Sequence, residues 1–270
     1  MPPHSSLPLL LFHGLISSPQ EFGLISLAMR NSGVDLHCPE IPGYTLDTAN
    51  RSPDWTKWSK AATQLVDDFS TDDTPVILGG LCTGGVLATA AALQTRRRIA
   101  GLVLMSPTFV YDGWGLSPIR HLRHLGYWTG LDRFFSVAER EPYGVKNAKI
   151  RKWVVRELTE RATSAAGPSH IPLPALREGE RMMAHVRAQL AKIDCPLLLM
   201  HAREDEITSL ESVRDLFDSL PVRDKEFAVL ENSYHMITID NDRHEVARLL
   251  EAFVKRITEP QQLSGLPLAA

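Results

Sequence analysis

The chain of 270 residues has only three cysteines, Cys38, Cys82 and Cys195. So few cysteines exclude a framework of disulfide bonds, and their positions do not have the spacing that is typical of a metal site. We therefore expect no metal and no cofactor. Cys38 and Cys195 each precede a proline beside an apolar run, so we interpret both as packing residues at the edges of strands.

Long apolar runs and a dominant charge are also absent. The apolar run near the amino terminus is about six residues long and lacks a basic start, so it is too short for a signal peptide or a membrane span. The formal net charge of -3 gives no indication of nucleic-acid binding. We predict a cytoplasmic protein that does not insert stably into a membrane and does not bind nucleic acid.

Short apolar strands alternate with helical stretches along the chain, a pattern that predicts a mostly parallel α/β sheet flanked by helices. The length is sufficient for one large α/β domain with an ample core. Strands are predicted over residues 7–12, 34–38, 75–79, 99–105, 196–201 and 225–230, and helices over residues 19–30, 54–69, 210–220 and 245–257.

Strand signals stop between residues 107 and 192, a stretch that is rich in aromatic residues and arginines. It is too long for a loop, so we predict an inserted helical cap over the carboxyl edge of the sheet, where ligands of open α/β sheets bind. The predicted division is a core of residues 1–106 and 193–258, a cap of residues 107–192 and a loosely attached tail of residues 259–270.

The most informative feature is the segment GLCTGG, residues 80–85, which lies between an apolar strand and a helix-forming run. A strand, a sharp turn and a helix with a nucleophile at the apex usually have the pattern G-x-S-x-G. Here Cys82 replaces the serine. Gly80 and Gly84 relieve the crowding of the strained turn, and the start of the helix favours a thiolate at its apex. The alternative is a buried structural cysteine.

An acid and a histidine follow two later strands, at the same edge of the sheet. Asp205 comes after the fifth predicted strand and His235 after the sixth. The chain order of nucleophile, acid and histidine is the order expected for this kind of turn. His235 would take the proton of Cys82, and Asp205 would orient the imidazole. The neighbours Glu204 and Glu206 are rival candidates for the acid. Asp240 is an outside candidate, although we expect it to cap the last helix.

An oxyanion hole needs two N–H donors beside the nucleophile. The backbone N–H of Thr83 is the first candidate, because it follows Cys82 directly. The second is the backbone N–H of Leu15, in the loop after the first strand. Gly14 lets this loop approach a substrate closely, and His13 is expected to brace the loop rather than to act as the base.

These motifs resemble those of the α/β-hydrolase superfamily, and most closely those of the compact carboxylesterase and monoacylglycerol-lipase-like branch. The resemblance covers about residues 7–257 apart from the cap. It implies the α/β-hydrolase fold and favours Asp205 as the acid. Two residues depart from the pattern: Cys82 stands where this branch has serine, and Tyr44 where many relatives continue Pro-Gly-His-Gly. The matching segments are residues 12–15, 18–19, 41–43, 80–85, 201–205 and 233–240.

Three functions remain open at this point. The first is hydrolysis of a small-molecule ester or acyl thioester through a covalent thioester on Cys82. The second is transfer of an acyl or aminoacyl group to an amine or to the thiol of an acyl or peptidyl carrier protein, since thioesters are good acyl donors. The third is ligand binding without catalysis. Alternatively, Cys82 is an engineered replacement of a serine. Hydrolysis is favoured because most members of this fold are hydrolases.

Overall fold

A computed structural model of the chain describes residues 7–46, 53–71, 74–161 and 163–259. The strands are β1 (Leu9–Phe12), β2 (Leu36–His37), β3 (Val76–Leu81), β4 (Ile99–Met105), β5 (Ser136–Ala138), β6 (Thr163–Ser164), β7 (Gly167–Pro168), β8 (His170–Pro172), β9 (Leu197–Ala202) and β10 (Lys225–Leu230). The α-helices are α1 (Gly23–Asn31), α2 (Trp55–Phe69), α3 (Thr83–Gln94), α4 (Arg123–Thr129), α5 (Ala148–Arg161), α6 (Leu173–Arg187), α7 (Leu210–Ser219) and α8 (Arg243–Thr258).

A six-stranded sheet with the order β10-β9-β4-β3-β1-β2 forms the centre of the fold. Every neighbouring pair in it is parallel. The carboxyl ends of all six strands therefore lie at one edge, and the loops that follow β1, β3, β9 and β10 meet there. The predicted α/β-hydrolase fold with a parallel central sheet is confirmed.

Both faces of the sheet are buried, and this explains why the sequence of β1 is continuously apolar. Side chains alternate between the two faces of a strand. Leu10 and Phe12 pack with residues of α2 and α3, whereas Leu9 and Leu11 pack on the other face with residues of α1 and α8. A strand covered by helices on both faces needs apolar residues at successive positions, so the pattern does not alternate.

The segment of residues 107–192 leaves the sheet after β4 and returns to it at β9. Its longest helices are α5 and α6, and α6 packs against α2 and α3 of the core. The prediction that this segment lacks strands is wrong, because it contains two antiparallel pairs, β5 with β8 and β6 with β7. Each of these strands has only two or three residues, too few for an alternating pattern to stand out in the sequence.

The division into core, cap and tail stays a prediction. Of the predicted tail, only Glu259 belongs to the described residues, where it follows the end of α8. Among the described helices, none combines the length and the apolar character needed to cross a bilayer.

Candidate active site

Cys82 occupies a sharp turn between β3 and α3. Its φ of 56° and ψ of -128° lie in a region that non-glycine residues rarely adopt, and such strained conformations cluster at functional sites. A Cβ added at Gly80 would lie 2.5 Å from Gly84 O and 2.6 Å from Phe12 O. The two predicted glycines are thus required here because the turn, the start of α3 and the end of β1 are in direct contact.

His235 and Asp205 form a buried pair at the same edge. His235 Nδ1 lies 2.7 Å from Asp205 Oδ2. The other carboxylate oxygen, Oδ1, accepts hydrogen bonds from the backbone N–H groups of Ile207 at 2.8 Å and Thr208 at 2.9 Å. The carboxylate therefore has a fixed orientation, and it holds the imidazole with Nε2 free for another partner.

The electrostatic environment of this pair favours the ionised forms of both side chains. Burial opposes protonation of His235, but the charges of Asp205 and of the Cys82 sulfur outweigh it and raise the His235 pKa well above its usual value. Burial likewise opposes ionisation of Asp205, yet the His235 charge and hydrogen bond keep the Asp205 pKa below its usual value. The imidazole of His235 can therefore hold a proton.

The Cys82 sulfur lies between two threonine hydroxyls. Its Sγ is 3.4 Å from Thr108 Oγ1 and 3.6 Å from Thr83 Oγ1. His235 Nε2 is buried and makes no hydrogen bond with the described part of the chain. The charge of the Cys82 sulfur and an interaction with its side chain are nevertheless among the causes that raise the His235 pKa. Hydrogen bonds in active sites are often poorly aligned before a substrate binds. Thr108 was not found by the sequence analysis, because no motif marks it.

The rival acids of Asp205 have other partners. The exposed Glu204 pairs with Lys146 at 2.6 Å. Glu206 accepts a hydrogen bond from the backbone N–H of His235 at 3.1 Å, and burial raises the Glu206 pKa to about 7. Neither carboxylate contacts the imidazole Nδ1, so among the three acids only Asp205 has the geometry of an orienting group.

Asp240 connects the His235 loop to the segment between β4 and β9. Its carboxylate accepts hydrogen bonds from the backbone N–H groups of Lys146 at 2.7 Å, Asn147 at 2.9 Å and Tyr234 at 2.9 Å. Three donors satisfy a carboxylate that is fully buried. This contact fixes the position of the loop that carries His235.

The loop after β1 is held by a second set of hydrogen bonds. His13 Nδ1 donates to Gly14 O at 2.9 Å, and Thr45 Oγ1 lies 2.8 Å from His13 Nε2. The hydroxyl of Tyr44 donates to His13 O at 3.1 Å, and the two rings stack at 5.2 Å. These contacts agree with the bracing role predicted for His13, which stays a prediction. Tyr44, the residue that departs from the family pattern, takes part in them.

A buried glutamate is the further partner of this loop. The backbone N–H of Gly14 donates to Glu21 Oε2 at 2.7 Å. Burial raises the Glu21 pKa to about 7, although the hydrogen bond from Gly14 lowers it. Glu21 was missed because a glutamate at the start of a helical stretch resembles a surface residue in the sequence.

The two predicted oxyanion donors both lie under α6. Leu15 is 5% exposed and Thr83 is fully buried. A Cβ added at Gly179 of α6 would lie 3.4 Å from Leu15 Cδ2 and 4.0 Å from Thr83 Cγ2. The helix thus covers the turn and the β1 loop together. The assignment of these two N–H groups as the oxyanion hole stays a prediction.

A groove of about 800 Å³ lies at the opposite edge of the sheet, and its lining includes Ile99, Cys195 and Pro196. These residues precede or begin their strands, whereas Cys82 follows its strand, so the groove is separate from the candidate active site. Among the described residues, no group of three or more histidine, cysteine, aspartate or glutamate side chains is arranged to hold a metal ion.

A parallel sheet, a strained turn between a strand and a helix, and a buried acid–histidine pair on later loops together define an α/β-hydrolase. A family model described as "Serine aminopeptidase, S33" matches residues 4–242, and the chain belongs to this family. Within the α/β-hydrolase superfamily, it falls in the branch of monoacylglycerol lipases and esterases.

Similar proteins are named as esterases and lipases. A carboxylesterase from Bacillus subtilis is 27% identical over 257 residues, which cover 92% of both chains. A thermostable monoacylglycerol lipase from Bacillus sp. strain H-257 is 34% identical over 85 residues, which cover 31% of this chain and about a third (34%) of that relative. The crystal structure of Paleococcus ferrophilus monoacylglycerol lipase has a TM-score of 0.76 and 18% identity, covering 93% of this chain and 94% of that one.

Proposed function

We propose that this chain is an ester hydrolase with a cysteine nucleophile, acting on a carboxylic ester or thioester. Cys82 is the nucleophile, His235 the general base and acid, and Asp205 the orienting carboxylate. The observation that carries the proposal is the buried His235–Asp205 hydrogen bond of 2.7 Å, at the same sheet edge as a cysteine in a strained turn. The names of its relatives, carboxylesterase and monoacylglycerol lipase, support an ester of a small molecule or lipid as the substrate.

In the first half of the reaction, the Cys82 sulfur attacks the acyl carbonyl carbon and a C–S bond forms. The thiol proton passes to His235 Nε2, and the carbonyl oxygen becomes an oxyanion that the N–H groups of Leu15 and Thr83 stabilise. The C–O bond of the ester then breaks, and His235 gives its proton to the departing alcohol. A thioester between the acyl group and Cys82 remains.

In the second half, a water molecule attacks the thioester carbonyl and gives a proton to His235. The C–S bond breaks, the carboxylic acid leaves, and the proton returns to the Cys82 sulfur. The charge of Asp205 stabilises the imidazolium that forms in this step.

Replacement of the nucleophile tests the proposal. We expect Cys82→Ala to lower kcat on p-nitrophenyl esters by at least about a thousandfold, because no acyl-enzyme can form. Cys195→Ala, which changes a thiol at the opposite edge of the sheet, should retain wild-type activity. Circular dichroism confirms folding. Retention of most of the activity by Cys82→Ala would exclude the proposed nucleophile.

Mass spectrometry of the intact protein tests the intermediate. We expect one acyl group to be attached after mixing with an activated ester, and neutral hydroxylamine to remove it, as it does from thioesters. A protein that only binds ligands would acquire no acyl group. In native alkylation at neutral pH, Cys82 should react first, because burial raises the pKa of both Cys38 and Cys195 to about 12.

The sulfur at position 82 also favours a second candidate, an acyltransferase, because thioesters transfer acyl groups to amines and thiols. The acceptor would attack the thioester in place of water and would lose its proton to His235. To test this, the acyl-enzyme is mixed with an amine or with a carrier protein that bears a phosphopantetheine thiol, and the products are quantified. If free acid is the sole product at every acceptor concentration, the transferase candidate is excluded.

A further inference from the structure

The loop after β1 contains a carboxylate whose burial the proposed mechanism does not explain. Glu21 lies in the short 3-10 helix Pro19–Phe22 and is 3% exposed. It forms no ion pair with a lysine or arginine of the described chain. The Ser17 side chain and the charge of His235 lower the Glu21 pKa, but burial outweighs them, so the position of this carboxylate calls for a specific hydrogen-bonding partner.

That partner is the backbone of the loop itself. The N–H of Gly14 donates to Glu21 Oε2 at 2.7 Å, and Gly14 O accepts hydrogen bonds from His13 Nδ1 at 2.9 Å and from Ser17 N at 3.3 Å. Both peptide groups that flank Gly14 are thus held. Because glycine has the freest backbone of all residues, its φ and ψ need such external contacts to be defined.

The second of these peptide groups contains the N–H of Leu15. In a planar trans peptide, the C=O and the N–H point in opposite directions. The hydrogen bonds to Gly14 O therefore set the direction of the Leu15 N–H, while Glu21 sets the orientation of the peptide before it. A Cβ added at Gly14 would be 3.2 Å from Glu21 Oε1 and 3.6 Å from Cys82 Cβ, so this geometry is established directly beside the nucleophile.

We propose that Glu21 is a positioning residue for the oxyanion hole: by accepting the Gly14 N–H, it holds the loop in the conformation that directs the Leu15 N–H at the substrate oxygen. This inference rests on the proposed function, since it needs an acyl carbonyl at Cys82. Glu21 acts through the backbone and does not itself contact the reacting atoms.

The test compares Glu21→Ala with Glu21→Gln, whose amide oxygen can still accept the Gly14 N–H. Removal of a whole oxyanion donor costs about 10²–10³ in kcat, so a misdirected donor should cost less. We expect Glu21→Ala to lower kcat on a p-nitrophenyl ester by about 10- to 100-fold with KM changed less than about twofold. Glu21→Gln should remain within about threefold of the wild type.

Measurements of ligand binding distinguish a positioning role of Glu21 from a purely structural role. A trifluoromethyl ketone forms a tetrahedral adduct with an oxyanion, and its affinity should fall in Glu21→Ala by the same factor as kcat, whereas the affinity for the carboxylic acid product should not change. As a control, Asp67→Ala removes a half-buried carboxylate that accepts a hydrogen bond from the Thr95 hydroxyl at 2.6 Å, where α3 ends and away from the β1 loop. It should lower stability without lowering kcat per folded molecule.

Three results would overturn the inference: unchanged kcat in Glu21→Ala, an equal loss in Glu21→Gln, or parallel losses of affinity for the ketone and the product. If Glu21→Ala does not fold, Glu21→Leu, which fills the space without offering an acceptor to the Gly14 N–H, takes its place and should give the same loss of kcat. Cys82→Ala is measured beside these variants. If it is inactive while Glu21→Ala is fully active, the proposed function stands and only the role of Glu21 is excluded.

Discussion

Two histidines at the carboxyl edge of the sheet show how neighbouring groups decide what an imidazole can do. His13 follows β1 and His235 follows β10, and they are 0% and 4% exposed. Nδ1 of His13 contacts the carbonyl oxygen of Gly14, whereas Nδ1 of His235 contacts the carboxylate of Asp205. Burial lowers the His13 pKa to about 4, whereas the charges around His235 overcome burial and raise its pKa well above the usual value.

Similar burial therefore leads to opposite chemistry. A neutral His13 can hold the β1 loop through two hydrogen bonds but has little tendency to take a proton. His235 is stabilised as a cation by a carboxylate that is itself fixed by backbone N–H groups. The two residues differ in the charge of the group that contacts Nδ1. The variants below either remove this charge or alter the neutral histidine alone.

The largest effect is expected when the environment of His235 is made to resemble that of His13. Asp205→Asn removes the negative charge and keeps a hydrogen-bonding side chain, so the imidazolium is no longer stabilised and the tautomer changes. We expect kcat to fall by about 10³- to 10⁴-fold, with the fold retained. Steady-state kinetics on a p-nitrophenyl ester check this, and His244→Asn, on the surface, is the control. A loss below about tenfold would contradict the role of Asp205.

The pH dependence of stability gives an effect of intermediate size. Unfolded His13 binds a proton below about pH 6.5, whereas folded His13 resists it down to about pH 4. Stability from this residue is therefore lost as the pH falls from 6.5 to 4, by up to about 3 kcal/mol. Urea unfolding of the wild type and of His13→Asn should show that the variant loses less stability over this range.

The comparison with His13→Asn is needed because other groups change stability in the opposite direction. The raised pKa values of Glu21 and Glu206 stabilise the fold below about pH 4.5, and this stabilisation is lost as the pH rises through about 7. His235 has the same sign, since its pKa is also raised. Equal pH dependence in the wild type and in His13→Asn would show that His13 is not held neutral.

The smallest effect is expected when the hydrogen-bonding partner of His13 Nε2 is removed. The Thr45 hydroxyl lies 2.8 Å from His13 Nε2 and accepts the N–H of Ile41 at 2.7 Å. Thr45→Val leaves both groups without this partner and should destabilise the fold by about 1–3 kcal/mol. We expect kcat to fall less than about tenfold, because the ring loses one contact and keeps its bond to Gly14 O. Thermal unfolding and kinetics measure the two effects, and a loss as large as that of Asp205→Asn would mean that His13 takes part in proton transfer.

Several elements could be predicted because their patterns are local. The strands β4 and β10 have the predicted bounds, Ile99–Met105 and Lys225–Leu230, since β4 is a continuous apolar run and β10 ends in one. β2 has two residues instead of the predicted five, because it ends where it no longer pairs with β1. The short strands β5 to β8 exist only through pairing within their segment, which no local pattern reveals.

The candidate site likewise contains residues that the sequence could predict and residues that it could not. Cys82, Asp205 and His235 are recognisable because each occupies a defined place after a strand, and the parallel sheet brings those places to one edge. Glu21 and Tyr44 could not be predicted, because each contacts a backbone group in the β1 loop, and the residue type gives no sign of a backbone partner.

The sequence by itself determined the order of the six strands of the central sheet, the strained turn around Cys82 and the chain order of the acid and the histidine, because hydrophobic periodicity and glycine positions act over a few residues. Only the tertiary structure decided which acid contacts His235, which histidine is held neutral and how the Gly14 peptides are fixed. These outcomes depend on burial and on contacts between segments that are distant in the chain, and both arise only when the sheet has formed.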